Sequence, residues 1–266
     1  MYIEIDSKKY WVEQEGRGEP LVLLHGFTGL TKTWSPFIQQ WSKNFHVISI
    51  DLPGHGKTKA YEPFSIETVC DDIYKIMNRL DLDNIHLLGY SMGGRTALSF
   101  ACLYPQCVES LILESSSPGL KTVDEQENRR KWDEKLAIKL ENEGLFSFVS
   151  YWTNIPLFET QKHLPKQIQN QLKQERLSHN AKGLAASLRY MGTGSQPSWW
   201  NQLEKLTFKV LLITGELDEK FTALNREMVN LLPNGEHQLI KDAGHAIHVE
   251  EPQIFGKIVS DFILHK

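Results

Sequence analysis

The chain alternates between short apolar runs and longer amphipathic stretches. LVLLH (21–25), HVISID (46–51), NIHLLG (84–89) and VESLILE (108–114) are leucine-rich or β-branched runs bounded by turn residues. Near-continuous apolar runs of this length suit parallel strands buried on both faces. The pattern resumes at FKVLLITGELD (208–218) and EHQLIKDAGH (236–245). Between the runs the period changes. In SIETVCDDIYKIMNRL (65–80), Ile66, Val69, Ile73, Ile76, Met77 and Leu80 recur at three- and four-residue spacing, which predicts an amphipathic helix. Ser65 suits its N-cap, with an acid in the first turn. EPQIFGKIVSDFIL (251–264) predicts a closing helix, and YIEID with KKYWVEQ an opening antiparallel hairpin. Strands and helices in alternation indicate an α/β fold: a mostly parallel central sheet with helices on both faces.

One stretch breaks this rhythm. From about Pro118 to Gln202 the chain is charged, helical in pattern and rich in tryptophan (Trp132, Trp152, Trp199, Trp200), with no strand alternation. It divides the chain into a core of residues 1–117 and 203–266 and a helical cap insertion of residues 118–202, expected to cover one edge of the sheet. A length of 266 residues accommodates one core carrying such an insertion.

Charge and cysteine usage narrow the class. The net charge of −4 makes no bulk electrostatic case for nucleic acid or an anionic membrane, so any affinity for anions has to come from local arginines. The apolar runs are strand-sized, far below the roughly 20 residues of a membrane span. The N-terminal MYIEIDSKKYWVEQ carries acids and lacks the apolar region of a signal peptide. Cys70, Cys102 and Cys107 have neither C-x-x-C nor metal-finger spacing, and are expected to be free thiols in a reducing compartment. The expectation is a cytoplasmic protein, a monomer or a loose homo-oligomer.

The chemistry begins in LLGYSMGGRTALSF (87–100). Gly89-Tyr90-Ser91-Met92-Gly93 fits G-x-S-x-G at a predicted strand-to-helix junction, where a nucleophile on a tight turn needs neighbours without bulk. Its partners should follow as acid, then histidine. Asp218 lies just past the strand KVLLIT and His245 just past HQLI, both at the carboxyl ends of predicted parallel strands, where open α/β sheets place their ligands. Glu216 and Asp242 are rival acids and His248 a rival histidine. His25 reads as a structural hydrogen bonder, His55 as a loop residue and the remaining histidines as surface positions. HGFTG (25–29) supplies the second half of an oxyanion site, with the backbone N–H groups of Phe27 and Met92 as donors. No spacing suggests a metal, a phosphate loop or a dinucleotide fingerprint, so no cofactor is expected.

HGFTG, DLPGHG, GYSMGG, GELD and AGH stand where α/β-hydrolases carry their loops, and the chain resembles that superfamily from end to end. GYSMGGRTAL, SSSPGL and ERLSHNAKGLAASLRYMGTGSQPSWW are similar, more specifically, to the 2-succinyl-6-hydroxy-2,4-cyclohexadiene-1-carboxylate synthases of menaquinone biosynthesis. The resemblance implies a lyase that eliminates pyruvate, with Ser91, activated by His245 and Asp218, as base. It also implies a small tricarboxylate substrate gripped by Arg95, Arg129 and Arg176, with Tyr90 and Trp152 in the binding site. Arg95 lies one helical turn beyond Ser91. Arg130, adjacent to Arg129, and Arg189 remain open as alternatives. The competing readings are a serine hydrolase (an esterase or carbon–carbon bond hydrolase) and a ligand-binding protein that has kept the fold.

Overall fold

The apolar runs assemble into one eight-stranded sheet. The structure, a computed structural model, describes residues 1–60 and 62–264. Its strands are β1 (Tyr2–Ile5), β2 (Lys8–Glu15), β3 (Glu19–Leu24), β4 (Phe45–Ile50), β5 (Ile85–Tyr90), β6 (Val108–Glu114), β7 (Lys209–Gly215) and β8 (Gly235–Ile240), ordered β1-β2-β4-β3-β5-β6-β7-β8. The opening hairpin is antiparallel and β2 joins β4 antiparallel; every pairing from β4 through β8 is parallel.

Side chains two apart along a strand share a face, so each apolar run feeds two cores. Val22, Leu24, Leu111 and Leu113 pack on one face with Ile73 of α2 (Ile66–Arg79), Leu98 of α3 (Met92–Leu103) and Met228 of α7 (Glu219–Val229). Leu21, Leu23 and Ile112 pack on the other with Trp41 of α1 (Ser35–Trp41), Ile247 of α8 (Ile247–Glu250) and Phe255 of α9 (Pro252–Leu264). Each such side chain contributes about 1.5–3 kcal/mol on burial. Helix α2 starts as its cap residue predicts: the Ser65 hydroxyl accepts from the Thr68 N–H.

Between β6 and β7 the chain forms α4 (Val123–Trp152, broken at Gly144), α5 (Lys166–Leu177) and α6 (Ala181–Met191). Leu136, Leu140, Phe148, Leu184 and Leu188 give these helices an apolar cluster separate from the two sheet cores. The expected edge position is corrected. Strands β6 and β7 are neighbours inside the sheet, and the insertion leaves from the carboxyl end of β6, so it lies over the strand ends. His179 accordingly reaches Thr28 beyond β3, Gly183 packs on Gly54 beyond β4, and the Met191 carbonyl meets Arg95 beyond β5.

The expected surface histidines also need correction. His86 and His179 are buried, and so is the loop residue His55. His86 Nδ1 lies 2.8 Å from Ser110 Oγ on the adjacent strand, a contact its own sequence neighbourhood does not reveal. His25, His55 and His179 pack in a row, with ring centroids 5.0 and 5.4 Å apart. Burial pushes His25 and His179 down to about 4, and pushes His55 well below its ordinary value with help from its two neighbours.

This cluster sets a pH dependence of stability. The three imidazoles stay neutral when folded, whereas the unfolded chain takes up their protons near pH 6.5. Stability is therefore complete above that pH and is lost as pH falls towards 4. His25 and His179 each contribute a loss of roughly 2 kcal/mol between pH 7 and pH 5, and His55 acts in the same direction. Burial raises the carboxyls of Asp51, Glu175 and Glu250, which offsets part of this because they gain protons in the folded state. Urea titrations at pH 7 and 5 should show a net fall of at least about 2 kcal/mol; equal stability at both would contradict the assignment of neutral, buried imidazoles.

All three cysteines are free, and no helix among the described residues is long and apolar enough to cross a membrane.

Candidate active site

Ser91 sits on the turn between β5 and α3 with φ 50° and ψ −107°, a strained conformation for a residue with a side chain. The turn closes only because its flanks carry no Cβ. A side chain on Gly93 would collide with the Leu24 carbonyl, and one on Gly89 with the Gly93 carbonyl. The strained turn lifts the Ser91 hydroxyl off the sheet, while Met92, the first residue of α3, brings an N–H with no intrahelical partner beside it.

The other two strand ends converge on this hydroxyl. Asp218 follows β7 and caps α7, its Oδ1 accepting from the Phe221 N–H at 3.5 Å. His245 follows β8, and its Nδ1 lies 2.6 Å from Asp218 Oδ2. Its Nε2 lies 3.1 Å from Ser91 Oγ. Since the carboxylate accepts the Nδ1 proton, Nε2 is the free base that faces the serine. Phe221, Tyr90 and Phe158 surround the imidazole at centroid distances of 4.7, 5.4 and 6.1 Å.

The rival residues are occupied elsewhere. Glu216 accepts from the Asp242 N–H, and Asp242 itself is exposed. His248 is buried against Glu114, with Nδ1 2.8 and 2.9 Å from its two oxygens. His25 holds the strand ends together: its Nδ1 donates to the Gly26 carbonyl at 2.8 Å and its Nε2 accepts from the Leu52 N–H at 3.0 Å. The Gly26–Gly29 turn that follows places Phe27 beneath the insertion, 5.2 Å from the Trp152 ring.

The arginines fall into two groups. Arg189 is bound by both Glu134 and Glu141, and Arg129 by Asp133 at 2.8 Å. Arg130 is exposed and donates to the Gly194 carbonyl. Arg95 and Arg176 are buried, and among the described residues neither is paired with a carboxylate. Arg95 Nη1 donates to the Met191 carbonyl and Gln196 Oε1, at 2.9 and 3.1 Å. Arg176 donates to Thr153 Oγ1 and Gln161 Oε1, both at 3.0 Å, and lies 4.8 Å above the Phe158 ring. Burial, and then the nearby Arg129, lower Arg95 to about 10; burial lowers Arg176 as well. A buried guanidinium held only by neutral acceptors is poised to receive an anion.

A cavity of about 260 Å³ opens beside the triad, bordered by Phe27, Tyr90, Phe158, Gln161, Arg176 and Ala246. Of the residues expected at the site, Ser91, Asp218, His245, Met92, Arg95, Arg129 and Trp152 do not line it; the triad adjoins it through Tyr90 and Ala246. Reasoning from sequence singled out neither Phe158 and Gln161 nor Gln196 nor Glu114, and weighed His248 only as a rival histidine, not as the partner of Glu114 behind Tyr90. Glu114 carried a signal, as an acid directly after the apolar run Leu111–Leu113; Phe158, Gln161 and Gln196 stand in polar, irregular stretches with no period to mark them.

Residues 19–252 match the family model of the alpha/beta hydrolase fold. A Bacillus subtilis (strain 168) protein provisionally named 2-succinyl-6-hydroxy-2,4-cyclohexadiene-1-carboxylate synthase is 45% identical over 97% of this chain and 96% of its own length. The Citrobacter koseri enzyme of that name is 31% identical over 90% of this chain and 93% of its own. The solved structure of MenH from S. aureus is 37% identical, with a TM-score of 0.91 over 96% of this chain and 98% of that one. Because these likenesses cover most of the chain rather than the serine turn alone, the chain belongs to the alpha/beta hydrolase fold family and, within it, to the family of the 2-succinyl-6-hydroxy-2,4-cyclohexadiene-1-carboxylate synthases.

Proposed function

We propose that the protein is a carbon–oxygen lyase of menaquinone biosynthesis, which eliminates pyruvate from 2-succinyl-5-enolpyruvyl-6-hydroxy-3-cyclohexene-1-carboxylate. The product is 2-succinyl-6-hydroxy-2,4-cyclohexadiene-1-carboxylate. The observation that carries this reading is the pair of buried, carboxylate-free guanidinium groups, Arg95 and Arg176, flanking a serine triad. A simple ester gives such charges nothing to bind; a tricarboxylate does.

His245 Nε2 takes the Ser91 proton, and Ser91 Oγ takes the proton from the ring carbon beside the succinyl ketone. Negative charge moves to the ketone oxygen, where the N–H groups of Phe27 and Met92 receive it. The electron pair then returns through the ring double bond, which shifts by one position, and the bond to the enolpyruvyl oxygen breaks. Pyruvate departs in its enol form, protonated from the His245 imidazolium. Asp218 holds the imidazole tautomer and stabilises its charged form. Arg95 and Arg176 hold two of the carboxylates, and Arg129, on exchanging its Asp133 partner for substrate, the third, with Tyr90 and Trp152 shaping the space between them. Residues 118–202 serve as the cap that carries Arg129, Trp152 and Arg176 to the site. Three free thiols suit a cytoplasmic enzyme.

The deciding experiment is a coupled assay of pyruvate release from the freshly prepared cyclohexene tricarboxylate, with spontaneous elimination subtracted. Release far above background is expected. Background-level release together with an acyl-enzyme burst on an activated ester would make the protein a hydrolase instead.

A further inference from the structure

The last turn of α5 carries more than Arg176. One residue earlier, Glu175 Oε1 accepts from the Thr33 hydroxyl at 2.8 Å. Three residues later, His179 is wedged between two core loops. Its Nε2 lies 2.9 Å from the Thr28 carbonyl, and its Nδ1 lies 3.2 Å from the Gly56 N–H. A carbonyl only accepts and an amide N–H only donates, so a single form satisfies both: neutral imidazole with its proton on Nε2. Burial keeps the ring in that form.

Thr28 is an unusual residue to grip. It is β-branched and buried, yet has φ 67°, in the left-handed region that β-branched residues avoid. Such a conformation persists only where its surroundings impose it. Thr28 directly follows Phe27, whose N–H is one of the two donors in the reaction above. The peptide planes on either side of Thr28 set where the Phe27 segment points.

We propose that His179 is a positioning residue for the oxyanion donor. By clamping the Thr28 carbonyl against the Gly56 loop, it holds the strained Phe27–Thr28 turn. It also ties that turn to the helix end that presents Arg176, so that the anion-binding arginine and the oxyanion donor are placed as one unit. This rests on the lyase reading for what Phe27 does, but the clamp itself is a statement about the loop.

The test uses the full-length protein. His179→Phe fills the space and can neither donate nor accept; His179→Gln can do both. If developing charge on the ketone oxygen depends on the clamp, His179→Phe should lower kcat for pyruvate release by about tenfold or more, with KM within about threefold, at a temperature where it is fully folded. His179→Gln should recover most of that loss. Amide hydrogen exchange over Phe27–Gly29 should be about tenfold faster in His179→Phe than in the parent. A strut with no positioning role would lower Tm and leave kcat and this exchange unchanged, and that result would overturn the inference. Should the parent release no pyruvate, the lyase reading falls, while the exchange comparison still decides the clamp. If His179→Phe does not fold, His179→Ala carries the same comparison.

Discussion

Replacing Ser91 with alanine is expected to abolish pyruvate release while leaving substrate binding nearly intact. Ser91 Oγ is the group placed to take the ring proton, and its activation depends on the 3.1 Å approach of His245 Nε2. General base catalysis of this kind contributes about 10²–10⁴-fold, and groups acting as a unit lose most of their effect when any one is removed. Alanine suits the turn sterically no worse than serine, and the buried guanidinium groups of Arg95 and Arg176 are untouched. A drop in kcat of about 10³-fold or more, with a dissociation constant within a few-fold of the parent by calorimetry, is the predicted pair of results. Loss of binding alongside turnover would mean that the serine grips the substrate, and the division between base and anchors would be wrong.

The second large effect is expected at Arg95. The residue is 9% exposed, and among the described residues its guanidinium is hydrogen-bonded to a carbonyl and an amide oxygen and to no carboxylate. The charge of Asp133 acts only from further away, a costly arrangement unless an anion completes it. Arg95→Ala should lower kcat/KM by about 1–3 kcal/mol, a factor of roughly 5 to 150, through loss of one charge-assisted contact to a substrate carboxylate. The same substitution leaves the Met191 carbonyl and Gln196 without a donor, so a lower Tm is expected too. Arg95→Met separates the two effects, because it preserves apolar volume without the charge. Both variants should show the kinetic loss well below their melting temperatures. An unchanged kcat/KM in either would reduce Arg95 to a tie between α3 and the residues that follow α6.

These effects depend on different orders of structure. The strands were legible because a buried parallel strand needs only a short apolar run, and helix 66–79 because amphipathic spacing is a local property. Ser91, Asp218 and His245 were legible as candidates for a related reason. Each ends or follows such a run, and parallel strands bring their carboxyl ends to one side of a sheet.

Which charges are satisfied could not be read in this way. Arg189 and Arg176 are both helical arginines of the insertion, and nothing in their immediate sequence separates them. The fold brings Glu134 and Glu141 to Arg189, whereas among the described residues the side-chain hydrogen-bond acceptors it brings to Arg176 are the neutral oxygens of Thr153 and Gln161. His55 and His179 likewise stand in polar surroundings in sequence, yet are buried against one another 123 or more residues from the groups that His179 bonds. Hydrophobic period is set by neighbours three or four residues away, whereas charge compensation, tautomer and burial are set by groups brought together across the chain. The amino-acid sequence by itself determined the layered sheet and the order of its chemistry-bearing ends. The tertiary structure alone decided that the insertion lies over those ends, and which of its arginines and histidines face them unpaired or clamped.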